Sequence, residues 1–150
     1  MSRILIIDDD LAIRSMLADW LSEKYETDTA EDGYKGLEKL KERVFDLVIS
    51  DINMPGINGF ETIRRVRAEH PGVKTALITD YDVDTYIKMA LEEDITNIIV
   101  KTSPFNVEEL FWTVDNLIDQ SRVFGLSNYL GEGSGLAEDR IRSSRQMDEV

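Results

Sequence analysis

Ile4-Leu5-Ile6-Ile7-Asp8-Asp9-Asp10 places four apolar residues directly before three adjacent carboxylates. A short, continuous apolar run of this kind reads as a strand buried on both faces, spanning residues 3–8. Like charges packed side by side are costly, and a bound cation is the commonest way to offset them. Two further apolar runs end in the same manner. Leu47-Val48-Ile49-Ser50 leads into Asp51, and Asn97-Ile98-Ile99-Val100 leads into Lys101. Three strand ends therefore carry acid, acid and lysine.

Outward from these runs, short apolar stretches alternate with amphipathic ones. Asp10 is placed to cap a helix whose apolar positions are Ile13, Met16, Leu17, Trp20 and Leu21, at i, i+3, i+4, i+7 and i+8 spacing. Residues 25–30 form a polar, alternating strand suited to a sheet edge. Residues 33–43 are expected to be helical, with Leu37 and Leu40 facing inward. A buried strand spans 46–50, and Pro55, Gly56 and Gly59 break the chain after it. A helix over 59–69 stops at His70-Pro71-Gly72. Residues 74–79 make a fourth strand. The next helix carries Val83, Tyr86, Ile87, Ala90 and Leu91 on one face. Residues 97–100 make a fifth strand, and the last helix, 105–119, is expected to bury Val107, Leu110, Phe111, Val114, Leu117 and Ile118.

Five strand–helix repeats predict an α/β fold, a five-stranded parallel sheet with helices on both faces. Ligands in such sheets bind at the carboxyl ends of the strands, where the strand order reverses. Asp8, Asp9, Asp51, Thr79 and Lys101 all fall at or just beyond such ends. Past residue 120 the pattern fades. Val123-Phe124-Gly125-Leu126 and Tyr129-Leu130 make a short apolar patch, and Gly131-Glu132-Gly133-Ser134-Gly135 has linker composition. The expected organisation is one domain over 1–120 and a flexible C-terminal tail or linker over 121–150.

Composition narrows the function. The 150 residues include 17 basic and 30 acidic side chains, a formal charge of −13. Most of that excess lies in 1–120, which holds 13 basic and 25 acidic residues. Such a surface repels nucleic-acid phosphates and suits cations or a partner with a basic patch. The absence of cysteine removes disulfides and thiolate metal sites, and His70 as sole histidine argues against zinc. No apolar stretch approaches the ~20 residues that span a bilayer, and no basic-then-apolar leader is present. A cytoplasmic protein without a membrane partner is the expectation.

Two neighbouring aspartates with a third on another strand suit Mg²⁺, which takes one or two carboxylates and shares phosphate oxygens. A carboxylate is also a nucleophile toward phosphorus, giving an aspartyl phosphate. Attack by an anion on a phosphoryl group needs cations beside the equatorial oxygens. Mg²⁺ and Lys101 supply two, and the Thr79 hydroxyl suits a third oxygen.

The constellation closely resembles the receiver domains of bacterial two-component response regulators, over about residues 3–120. The resemblance rests on Asp8-Asp9, on Asp51-Ile52-Asn53-Met54-Pro55-Gly56-Ile57-Asn58-Gly59, on Thr79 and on Lys101, in that order and at those spacings. It implies the flavodoxin-like receiver fold with strand order 2-1-3-4-5. It further implies that Asp51 accepts a phosphoryl group from a sensor histidine kinase or phosphotransfer protein. Mg²⁺ would be held by Asp9, Asp51 and the carbonyl of Asn53, with Asp8 assisting through water. Thr79 and Lys101 would bind the phosphoryl oxygens and report them by shifting the fourth helix. Such a module is a phosphoacceptor in signal transduction rather than an enzyme, with slow self-dephosphorylation. It works with a downstream effector or output domain, and sometimes as a homodimer.

Three departures from the family stand out. Ile98 occupies the position three before the lysine where the family places Tyr or Phe. Asp80 follows Thr79 where a small residue is usual. Thr102-Ser103 separate Lys101 from Pro104-Phe105, where proline normally follows at once. Ile98 and Asp80 are thus altered switch positions, and they support an alternative: a pseudo-receiver, an interaction module not regulated by phosphorylation. A phosphatase using an aspartyl phosphate fits less well, because Asp51-Ile52-Asn53 lacks the second aspartate such enzymes carry.

Taken singly, each motif has a plainer reading. The acidic triple is a solvated loop with a helix cap, Asp51 a turn residue, Thr79 a strand end, Lys101 a surface lysine, and Asp80 a residue approaching a helix. His70 reads as a helix-end residue, and Arg64, Arg65 and Arg67 as a solvated helix face. Trp112 falls beside the core stripe of the last helix, and two places are open for it: packing against Ile98 and the last helix, or exposure on an output surface.

Overall fold

The computed structural model describes residues 1–79, 83–95, 97–102 and 104–130. Two units are distinguished, Met1–Val114 and Asp115–Val150, and all five strands lie in the first. The elements alternate: β1 (Arg3–Ile7), α1 (Leu11–Leu21), β2 (Glu26–Ala30), α2 (Gly33–Glu42), β3 (Leu47–Asp51), α3 (Gly59–Glu69), β4 (Lys74–Thr79), α4 (Val83–Glu92), β5 (Ile98–Val100) and α5 (Val107–Leu130). The sheet is parallel throughout, in the order β2-β1-β3-β4-β5.

That order fixes the layers. The step from β1 to β2 runs one way across the sheet, and every later step runs the other. Right-handed crossovers therefore place α1 on one face and α2, α3 and α4 on the opposite face. Leu5, Ile7, Val48 and Leu77 join Leu37, Leu40, Phe60, Ile63, Val66 and Ala90 in one core cluster. The alternate strand residues Ile4, Ile6, Ile49 and Ile78 are equally buried, as are Leu17 and Leu21 of α1. Burial on both faces is why β1 and β3 read as nearly continuous apolar runs.

β2 differs because it is an edge. Its residues Glu-Thr-Asp-Thr-Ala are polar, and only Ala30 is buried. The Ala30 carbonyl accepts from the amide of Asp8 at 3.1 Å, so by alternation the backbone of Thr29 faces away from β1. That amide donates to Asp28 Oδ1 at 2.8 Å, and the Thr29 carbonyl accepts from Lys39 Nζ of α2. Lys39 also pairs with Asp28 Oδ1 at 2.7 Å.

The helix starts follow the expected capping chemistry. Asp10 caps α1, accepting from the amides of Ala12 at 2.9 Å and Ile13 at 3.3 Å. Asp32 caps α2 through the amide of Lys35, and Asn58 caps α3 through that of Glu61. His70 is the C-cap of α3.

Three expectations are corrected. First, α4 keeps its apolar repeat, but Ile87 and Leu91 are exposed at 40% and 64%, and only Ala90 reaches the core among its described side chains. Second, α5 runs to Leu130 rather than stopping near 119. No proline interrupts 107–130, and a single interior glycine, Gly125, costs a helix only about 1 kcal/mol. Within the first unit, α5 buries Leu110 and Val114, whereas Val107 and Phe111 are half-buried. Third, the α3 arginines are engaged rather than merely solvated. Arg64 grips Glu93, with Nε at 3.2 Å and Nη2 at 2.8 Å, and also pairs with Glu61. Arg67 donates to the carbonyls of Glu93 and Asp94 at 2.8 and 2.7 Å. Asp94 has a positive φ of 59°, the left-handed turn that ends α4.

Candidate functional site

The strand order reverses between β1 and β3, and the two strands end side by side, with Ile7 opposite Ser50. Asp8 follows the last residue of β1, and Asp51 is the last residue of β3. Both are buried, whereas Asp9 is exposed. Carboxylate oxygens of Asp8, Asp9 and Asp51 all lie within 4.8 Å of one another. Lys101, one residue past β5, reaches the same point, with Nζ 3.0 Å from Asp8 Oδ2 and 3.4 Å from Asp51 Oδ1. Its backbone is tied to β4, because its amide donates to the Thr79 carbonyl at 2.8 Å. Thr79 itself is fully buried at the end of β4.

Asp8 is held from every side. Its amide bonds Ala30, its Oδ1 accepts from the amide of Asp10 at 2.9 Å, and its carbonyl accepts from Arg14 Nη1 at 2.6 Å. Its Oδ2 is buried and lies 3.0 Å from the Lys101 ammonium, which balances its charge. Asp51 Oδ1 accepts from the amide of Ile52 at 2.9 Å.

These surroundings set the proton affinities. Burial pushes the Asp51 carboxyl up to about 6, the negative charge of Asp8 adds to this, and Lys101 pulls the other way. Burial works against the Lys101 ammonium, but Asp8 and Asp51 outweigh it and raise its proton affinity, so it stays charged. The three clustered carboxylates outnumber the one ammonium among them, an excess that favours a bound cation. The donors are all hard oxygens, which suits Mg²⁺, Mn²⁺ or Ca²⁺ and not zinc. Three carboxylates crowded around a single ammonium thus fit a bound divalent ion.

The loop after β3 carries Asn53, which is exposed two residues beyond Asp51. The Gly59 amide donates to the Ile52 carbonyl at 2.8 Å and closes this loop. A Cβ on Gly59 would stand 2.3 Å from the Asp51 carbonyl oxygen and 2.8 Å from Ile52 Cα, both backbone atoms. Only glycine lets α3 start this close to the end of β3. Gly56 has φ of +83° and lies against the ring of Tyr34, over which the Arg65 guanidinium sits at 5.7 Å.

The response regulator receiver domain pattern matches residues 4–115. The chain belongs to the receiver domain family of response regulators. This receiver is 38% identical over 112 residues to the response regulator ArlR of Staphylococcus aureus, covering 73% of this chain and 49% of ArlR. It is 30% identical over 125 residues to the transcriptional regulatory protein ZraR of Klebsiella oxytoca, covering 80% of this chain and 27% of ZraR. The receiver thus spans half or less of the length of these relatives. Among solved structures it resembles a CheY-like receiver domain protein from Methanospirillum hungatei, with a TM-score of 0.74, 29% identity, and 81% and 97% of the two chains covered. It also resembles TrrA of Thermotoga maritima in complex with Mg²⁺ and BeF, with a TM-score of 0.69, 38% identity, and 78% and 99% covered. The expected fold and strand order stand.

Of the residues singled out from sequence, Asp8, Asp9, Asp51 and Lys101 converge in this receiver, and Thr79 borders them through its bond to Lys101. Asn53 sits on the adjoining loop. Ile98 is the half-buried first residue of β5 and packs against the core cluster, paired with Leu77. Asp80 lies outside the described residues. Trp112 is 61% exposed, off the core stripe as its spacing indicated. Arg14 was the residue that sequence reasoning missed. Its place one turn into α1 marks it as a neighbour of the acidic loop, but a lone arginine on a helix carries no signal of its target.

Proposed function

We infer that this receiver accepts a phosphoryl group on Asp51 in a two-component phosphorelay, with a sensor histidine kinase or phosphotransfer protein as donor. The observation that carries the reading is the convergence of three carboxylates and one lysine at the β1–β3 reversal. Asp51 attacks phosphorus through a carboxylate oxygen, the P–N bond to the donor imidazole breaks, and the imidazole leaves with a proton. Lys101, already charged and one residue past β5, pairs with a phosphoryl oxygen as negative charge arrives. The Thr79 hydroxyl donates to another. Asp9, Asp51 and the Asn53 carbonyl would hold Mg²⁺, with Asp8 assisting, and the ion supplies charge neutralisation at the attacked phosphate.

The alternative, a pseudo-receiver acting only through protein contacts, is favoured by Ile98. A packed aliphatic side chain there has no ring to swing when Thr79 moves. The decisive experiment treats the wild type and Asp51→Asn with Mg²⁺ and a phosphodonor or beryllofluoride. Acid-labile phosphate on wild type only, lost without Mg²⁺, supports the phosphoacceptor. No modification and no beryllofluoride binding on wild type selects the pseudo-receiver. Because ArlR and ZraR extend well beyond the matched region, an effector or output domain in the same polypeptide belongs to the proposal. So does the division into a receiver over 1–120 and a tail or linker over 121–150, with homodimers and a cytoplasmic location as further parts of the reading.

A further inference from the structure

Asp8 and Asp9 are neighbours in sequence but differ in constraint. Asp8 is buried and held through its amide, its carbonyl and both carboxylate oxygens. Asp9 is exposed, yet a carboxylate oxygen of it lies within the 4.8 Å cluster. An exposed aspartate has several rotamers of similar energy, so something upstream must restrict where its carboxylate is offered.

The link between the two residues is a single rigid peptide plane. Its carbonyl is that of Asp8, and this is the group that Arg14 Nη1 holds at 2.6 Å. Arg14 sits on α1, whose first turn is fixed by the Asp10 cap. The guanidinium thus bridges a rigid helix to the peptide that sets the direction of the Asp9 Cα–Cβ bond. The length of the bond fits a charge-assisted donor.

We propose that Arg14 is a positioning residue of the acidic site, fixing the Asp8–Asp9 peptide so that the Asp9 carboxylate is offered to a divalent cation. This rests on the cation-site reading above. Two consequences of removing Arg14 oppose each other. Loss of a positive charge beside a cation site strengthens cation binding through Coulomb's law. Loss of the tether weakens it by letting Asp9 turn away. The sign of the change separates positioning from a merely electrostatic presence.

The test titrates the full chain with MgCl₂ by calorimetry for wild type, Arg14→Met and Arg14→Lys. Arg14→Met keeps the aliphatic stem and loses charge and donor. It should bind Mg²⁺ about three- to tenfold more weakly, the worth of one hydrogen bond. Arg14→Lys, with a donor and a charge, should recover part of the loss. Equal or tighter binding by Arg14→Met overturns the proposal. A metal-free readout runs beside it: amide exchange at Asp10, whose N–H is held by Asp8 Oδ1, should quicken in Arg14→Met while β3 amides stay protected. Unchanged exchange at Asp10 also overturns it. Should the wild type bind no Mg²⁺, the cation-site reading fails by itself, and the exchange measurement alone decides whether Arg14 orders the loop.

Discussion

Gly59 lies so close to Asp51 that a methyl group at its α-carbon would stand 2.3 Å from the Asp51 carbonyl oxygen. The obstructing atom is backbone, at the end of a buried strand, so it cannot swing aside. Gly59→Ala should therefore destabilise the protein by about 1–3 kcal/mol, the usual cost of overpacking. The displaced backbone belongs to Asp51, so Mg²⁺ binding should weaken in the same variant. Chemical denaturation with and without MgCl₂ checks both. An unchanged midpoint would mean that α3 shifts freely against β3.

Asp51 predicts a stability profile with an unusual sign. Its carboxyl is raised to about 6 in the folded protein, against about 4 for an unstructured chain. Between those values the folded state holds a proton that the unfolded state has lost, so the contribution of Asp51 to metal-free stability falls as pH rises from about 4 to 6 and is flat above. Asp51→Asn removes that slope. At pH 7.5 without metal it should be more stable than wild type by about 1–3 kcal/mol. Saturating Mg²⁺ should reverse the order. Thermal unfolding at pH 4.5, 6 and 7.5 distinguishes the two profiles.

Lys101 is the counter-charge of a buried acid. Replacing it by Met leaves Asp8 Oδ2 with neither cation nor hydrogen bond. Metal-free Lys101→Met should lose about 2–4 kcal/mol at neutral pH, since stranding one member of a buried pair leaves its partner uncompensated. Mg²⁺ should restore more stability to this variant than to wild type. A loss that Mg²⁺ leaves untouched would show that the lysine supports packing instead.

The grip of Arg64 and Arg67 on the end of α4 is local. Glu93→Ala should leave the global unfolding midpoint almost unchanged, because the pair is largely exposed and screened by salt. Amide exchange over the last turn of α4 should nonetheless quicken. Exchange that stays at the wild-type rate would mean that the Arg67 bonds to the Glu93 and Asp94 carbonyls, with Ala90 and Ile95 in the core, hold this end without Arg64.

The sheet was legible because burial on both faces makes β1 and β3 nearly continuous apolar runs, and because a polar β2 suits only an edge. The convergence of Asp8, Asp51 and Lys101 followed from strand ends alone. What escaped was long-range and depends on side-chain reach. Arg14 crosses back to Asp8, and Arg64 and Arg67 cross from α3 to α4, contacts that no helical spacing encodes. Ile87 and Leu91 share the repeat of a buried stripe, yet among the described side chains of the helix only Ala90 reaches the core. Periodicity identifies a face but not what covers it.

The sealed backbone of Thr29 limits how this receiver meets other proteins. Its outward amide is taken by Asp28 and its outward carbonyl by Lys39, so at this position the rim of the sheet offers a visiting strand nothing to pair with. Growth of the sheet into a neighbouring copy, the common route to fibrils and strand-exchanged dimers, is closed there by two side chains.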